Sequence, residues 1–242
     1  MTLNILSLDN PSFYIISVLL GIIIYFTAFN EYGGTTCNKY LLNIFLYLLI
    51  MFSLYFSSIK IQNDFNINIG NDIKTIIISN IILFCMIVYL YFSKDPIVNH
   101  VLFIVVLFIL ALSAKEIYKK YDRDHIEDII KKCMVVTFIT MLLSLLFRKY
   151  INPKIETVLF FAAFSTFILF GIDEYYLESK YKNIINYFIV FVFAGFVFFD
   201  TSRLIQDKSE CIEGQANYIK NLLNMFLNII TIFNSMVEIE KD

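Results

Sequence analysis

Tryptophan is absent from this chain, and proline and glycine are scarce, with three and seven copies among 242 residues. Only two histidines occur, which rules out the histidine-rich di-iron boxes of membrane desaturases. Four cysteines, Cys37, Cys85, Cys133 and Cys211, stand singly with no CxxC and no Cys/His cluster. A structural zinc or a disulfide framework therefore has no ligand set. Charged residues make up 17%, where soluble domains carry about 25%. The net charge of −2 argues against nucleic acid as a partner. HExxH, Gly-x-Ser-x-Gly, P-loop and dinucleotide fingerprints are all missing, so the expectation is no enzyme and no cofactor. His125-Ile126-Glu127-Asp128 reads as solvated helix surface.

What the chain has in quantity is apolar side chains, 59% hydrophobic and 17% aromatic. They fall in eight blocks: Phe13–Phe29, Tyr40–Ser58, Thr75–Phe92, Ile97–Ala114, Cys133–Phe147, Ile155–Ile172, Ile184–Phe199 and Tyr218–Val237. Blocks of this length cross a hydrocarbon core of roughly 30 Å as helices. The runs lack the alternation that a membrane barrel needs. The fold class is therefore all-α, a polytopic transmembrane bundle of seven or eight helices. Residues 1–242 read as one membrane domain, with a core over about 40–237 and residues 1–30 as an extra N-terminal helix. Asp9 precedes the first block without any Lys or Arg, a poor signal peptide, so that span is expected to be retained.

Pro11, Pro96 and Pro153 fall at block edges, where helices start. Tyr89-Leu90-Tyr91-Phe92 and Tyr175-Tyr176 suit interfacial anchoring. The longest polar connection, Lys115–Lys132, permits a helical extension of the fourth span, with Glu116 and Lys120 one turn apart. Lysine and arginine favour the side holding both termini, which the positive-inside rule makes cytosolic. Gly171, Gly195 and Ala162-Ala163 are expected to let helices approach closely. Asp173-Glu174 and Glu156 flank the sixth span and mark where lipid stops.

Asp200 is the most informative residue. It follows the block that ends at Phe199 and precedes a polar connection to the last helix. A carboxylate there needs water, a cation or a partner. In the last helix Asn217, Asn221, Asn224, Asn228, Thr231 and Ser235 recur at steps of 4, 3, 4, 3 and 4, one helical face. Amides facing hydrocarbon lack partners, so this stripe belongs against other helices or against a wet cavity. The spacing leaves both readings open, as it leaves Asp200 open between an ordinary surface carboxylate and a pathway residue.

The run Gly195-Phe196-Val197-Phe198-Phe199-Asp200-Thr201-Ser202-Arg203-Leu204-Ile205 resembles a glycine-bearing span ending in Tyr/Phe-Asp-Thr-Gln. Asn217-Tyr218-Ile219, continuing through Leu222, Leu223, Met225, Phe226, Leu227, Asn228, Ile229, Ile230 and Phe233, is similar to a last helix opening Asp-Tyr-Ile and ending Leu-Asp-Ile-Ile-Asn-Leu-Phe. Both patterns are those of the transmembrane Bax-inhibitor-motif family. The resemblance implies seven helices with the last one central. It implies a calcium leak through intracellular membranes of endoplasmic reticulum or Golgi type, and modulation of cell death. It further implies a pair of aspartates sharing a proton that gates the pore with pH, since two touching carboxylates do not both ionise cheaply.

Mapped onto this chain, the first aspartate is Asp200 and the second is Asn228, an amide that cannot titrate. Ser202 stands at the motif glutamine and Asn217 at the aspartate before Tyr218. The pH gate is thus expected to be altered. An early-span arginine that latches some members has no counterpart, because the arginines here are Arg123, Arg148 and Arg203. The expected pore and gating residues are Asp200, Asn228, Asn224, Asn217 and Asn221, with Thr201, Ser202 and Gly195 as motif positions. Calcium is expected as a permeant ion, meeting Asp200 transiently, and the lipid bilayer and other membrane proteins as partners. The rival expectations are a non-conducting structural or interaction protein of a viral or organellar membrane, and, less favoured, a secondary transporter. The transporter would call for broken helices with Gly or Pro in matching halves, and these are scarce.

Overall fold

A computed structural model describes residues 18, 44–45, 47–52, 54–55, 73–93, 96–120, 123–147, 152, 154–206 and 218–240. The block Phe13–Phe29 lies almost wholly outside the described residues, as do Cys37, Cys211, Pro11, Pro153 and Asn217. Among the described residues all regular structure is helical. Six helices have defined bounds: α1 Ile73–Phe92, α2 Pro96–Lys120, α3 Arg123–Phe147, α4 Lys154–Tyr176, α5 Lys182–Gln206 and α6 Tyr218–Ile239. Helical residues also occur between 44 and 55, within the second apolar block. The chain forms two compact units, Met1–Arg123 with Ser209–Leu222, and Asp124–Lys208 with Leu223–Asp242.

In the first unit α2 opens on Pro96, whose fixed φ suits the first helical position. Asn99 is buried and its amide donates to the Ser93 carbonyl at 3.3 Å, tying the start of α2 to the residue after α1. Met51, Tyr55, Leu90, Phe103, Val106, Leu107 and Ala111 are buried, and Tyr47 meets Phe103 ring to ring at 6.3 Å.

Among the described residues four helices are long and apolar enough to cross a membrane, and all but Leu222 fall in the second unit: His125–Phe147, Lys154–Tyr176, Lys182–Ile205 and Leu222–Ile239. Their burial is uneven. In α4 only Ala163, Thr166 and Asp173 are buried, while Phe160, Phe164 and Phe167 point outward, 57–61% exposed. Such a face suits hydrocarbon rather than water. In α6, Leu222, Leu223, Met225, Phe226, Ile229, Ile230, Ile232, Phe233, Ser235 and Val237 are buried. The most apolar window of α6 is 56% buried against 11% for α4. Helix α6 is thus the most buried of these four spans.

The charged stretch Lys115–Lys132 does extend the fourth span, since α2 runs on to Lys120, and α3 begins at Arg123. Its charges decorate helical turns, and Asp128 pairs with Lys132 at 2.8 Å in i,i+4 spacing. Two expectations are corrected. The span ending at Phe199 does not stop there. Helix α5 continues through Asp200 to Gln206, since Thr201, Ser202, Leu204 and Ile205 are all buried. Asp173 is no simple marker of the lipid edge either. It is buried, and its Oδ1 accepts the Tyr181 N–H at 2.9 Å across the α4–α5 turn. The Asp173 carbonyl also accepts the N–H groups of Leu177 and Ser179. Its neighbour Glu174 accepts the Ser179 hydroxyl at 2.8 Å. The turn places Glu178 and Ser179 at φ 53° and 61°, left-handed conformations that side-chain-bearing residues rarely adopt.

Close approach occurs at one of the two expected glycines. A Cβ at Gly195 would lie 2.7 Å from Leu159 Cδ2, so α4 and α5 touch where the side chain is missing. Gly171 faces open space, with nothing within 4 Å of a Cβ, and brings no helices together.

Candidate functional site

Helix α5 presents Asp200 on a half-buried face, and α6 presents Asn228 opposite it. The Asn228 amide nitrogen donates to Asp200 Oδ2 at 2.9 Å. That bond gives the Asp200 carboxyl group a polar partner within the last two turns of a largely apolar helix. Thr201 needs no tertiary partner, because its hydroxyl donates to the Val197 carbonyl one turn back, at 2.7 Å. Ser202, in the motif glutamine position, is fully buried and shares a hydroxyl–hydroxyl bond of 2.5 Å with Ser144 of α3. The motif segment therefore reaches three helices, through Leu159 on α4, Ser144 on α3 and Asn228 on α6.

The polar stripe of α6 is placed unevenly. Of the stripe, Asn224, Asn228 and Thr231 are half-buried, as are Leu227 and Asn234 beside it, while Met225, Phe226, Ile229, Ile230, Ile232 and Phe233 are buried. Asn224 is engaged with a partner, Thr231 donates to the Leu227 carbonyl at 2.8 Å, and Asn234 Oδ1 is buried without one. Ser235 is fully within the buried set. Asn221 lies in the helix with its side chain outside the described residues, and Asn217 is outside them altogether.

Next to this site, Arg203 Nη1 stands 3.8 Å from Glu156 Oε1, both side chains more than half exposed. Both charges act on Asp200 electrostatically. Among the described residues no three His, Cys, Asp or Glu side chains gather as a metal site. Ser144 was not singled out from the sequence, although a signal was there: Thr137, Thr140 and Ser144 recur at steps of 3 and 4, a hydroxyl stripe on one face of α3.

These features define a class: a multi-pass helical membrane protein whose last two helices are joined through a carboxylate inside a span. The family model described as "Inhibitor of apoptosis-promoting Bax1" matches residues 37–240. The chain belongs to this Bax inhibitor family. Comparison with curated proteins and with solved structures returns no match.

Proposed function

We propose that this protein is a calcium leak channel of intracellular, endoplasmic-reticulum- or Golgi-type membranes that modulates cell death, and that it carries no enzymatic activity or cofactor. The observation supporting this reading is the Asp200–Asn228 bond, set beside the half-buried Asn224 and Thr231 on a helix most of whose apolar positions are buried. Polar side chains inside a membrane bundle face one another or a wetted passage. Here one carboxylate attracts the cation, and Asn224 and Asn228 supply neutral oxygens and amides along its way. Since Asn228 cannot titrate, gating by a proton shared between two carboxylates is replaced by a fixed amide–carboxylate contact, and the pH response differs from a paired-aspartate pore.

Calcium efflux from proteoliposomes, followed across a pH series, tests this. Asp200→Asn removes the charge at nearly constant shape, and efflux is expected to fall several-fold. Equal efflux from the wild type and the variant at every pH would overturn the role of Asp200. The satisfied bond also serves the rival, a non-conducting protein held together by interhelical hydrogen bonds. That rival predicts no flux above empty vesicles and recovery of the protein in stoichiometric complexes.

A further inference from the structure

The carboxyl end of α6 carries Glu238 in its last turn and Glu240 just beyond it. The first residue of α5 is Lys182. Each charge sits at the unfavourable end of its own helix, because a C-terminus carries partial negative charge and an N-terminus partial positive charge. Neither placement helps its helix form. Both make sense once the helices are assembled: Lys182 Nζ lies 2.6 Å from Glu238 Oε2, with the two side chains 27% and 29% exposed. Lys132 of α3 reaches Glu240 Oε1 at 2.6 Å while also holding Asp128 at 2.8 Å. Asp128, one turn before Lys132, keeps the ammonium in place for Glu240. The end of α6 is thus gripped by lysines from two different helices.

Further along α6, Cys133 Sγ of α3 lies 3.7 Å from the Ile229 carbonyl, beside Asn228. Glu238 is ten residues from Asn228, about 15 Å along the axis. A one-residue slip of α6 would move it about 1.5 Å and rotate it about 100°, carrying Asn228 away from Asp200. We propose that Lys182 and Lys132 are positioning residues, an electrostatic clasp on Glu238 and Glu240 that fixes the rotation and register of α6 and so holds Asn228 on Asp200. The effect of the clasp on leak rests on the proposed function; the clasp itself does not.

The helix-end argument gives opposite signs for two explanations. Lys182→Glu and Glu238→Lys each improve their own helix end but set like charges against each other. If helix-end electrostatics governed, each single variant would protect its helix. If the clasp governs, each single variant loosens α6, and the double swap restores it with both ends now favourable. The measurement is hydrogen exchange of the amides of residues 234–240, in the full chain reconstituted in nanodiscs. Exchange in each single variant is expected to be roughly three- to fivefold faster, the scale of a partly exposed ion pair. In the swap it is expected to return to the wild-type rate or slower. Unchanged or slower exchange in the single variants overturns the clasp, as does a swap that fails to recover. Calcium efflux from the same four proteins separates the two readings. Exchange that follows the charge pairing without efflux from any of them leaves the clasp standing and removes the leak. Efflux with exchange indifferent to pairing does the reverse.

Discussion

Asn228 donates its amide to Asp200 across 2.9 Å, so this contact between α6 and α5 pairs a carboxyl group with a group that cannot ionise. The contact has the geometry of a shared-proton pair without the chemistry of one. Placing a second carboxylate at 228 rebuilds that chemistry in a frame that already exists. Two carboxylates at this distance hold one proton between them and titrate as a unit. Asn228→Asp is therefore expected to give a pH profile of calcium efflux steeper than that of the wild type, with an inflection near neutrality. The same efflux assay across the pH series checks it. A profile parallel to the wild type would mean that the two side chains do not meet in the membrane.

The Ser144–Ser202 bond predicts a non-additive pair. Both hydroxyls are fully buried and 2.5 Å apart. Ser144→Ala or Ser202→Ala alone leaves one buried hydroxyl with its partner gone, at a cost of about 1–3 kcal/mol. Removing both leaves no polar group to satisfy, so the double variant should be less destabilised than the sum of the single ones. Thermal unfolding in detergent of the four proteins checks this. Additive losses would show that the hydroxyls are satisfied independently.

Much of this architecture was legible in the chain. The apolar blocks from Thr75 onward each correspond to a helix, because hydrocarbon leaves the backbone no other satisfied form in a continuous run. Asp200 and Asn228 were singled out by residue type, and the structure joins them. What could not be read was where helices end. Hydropathy reports the edge of the apolar run, and helix α5 runs past it because Thr201 bonds back to Val197 and Ser202 finds Ser144. The same limit hid Asp173. Its value lies in a bond to Tyr181 eight residues on, set by a turn that no periodicity encodes. Lys132, Lys182, Glu238 and Glu240 belong to no sequence motif, and only tertiary packing pairs them.

Gly195 and Leu159 predict a size-dependent loss with a specific rescue. The obstacle to a Cβ is the far end of a flexible leucine at 2.7 Å, so Gly195→Ala is expected to be tolerated, costing about 1 kcal/mol or less as Leu159 rotates. Gly195→Leu overpacks the contact and should cost about 1–3 kcal/mol or more. Combining Gly195→Ala with Leu159→Ala should add no strain beyond the cavity left by the leucine. The melting temperatures of these variants in detergent check the order. A Gly195→Leu protein as stable as the wild type would mean that α4 and α5 do not pack closely here.

The α4–α5 turn gives the last test, and it separates a carboxylate acting as a charge from one acting as an acceptor. Asp173 is buried, yet its bond is to a neutral backbone N–H. Asp173→Asn keeps an oxygen in the same place and is expected to be mild. Asp173→Ala strands the Tyr181 N–H and should cost about 1–3 kcal/mol. The left-handed Ser179 supplies an independent probe, because a glycine relieves its φ of 61°. Ser179→Gly surrenders the hydroxyl bond to Glu174 while removing that strain, so its net effect is expected to be small. Ser179→Val, branched at Cβ in a conformation that disfavours it, should destabilise by about 1–2 kcal/mol. Limited proteolysis at residues 177–181 reads the turn locally, where global unfolding would dilute the effect. Cleavage should rise for Asp173→Ala and Ser179→Val and stay near the wild-type rate for the other two. Equal cleavage of all four would mean that the turn is held from elsewhere, and that the burial of Asp173 serves its charge after all.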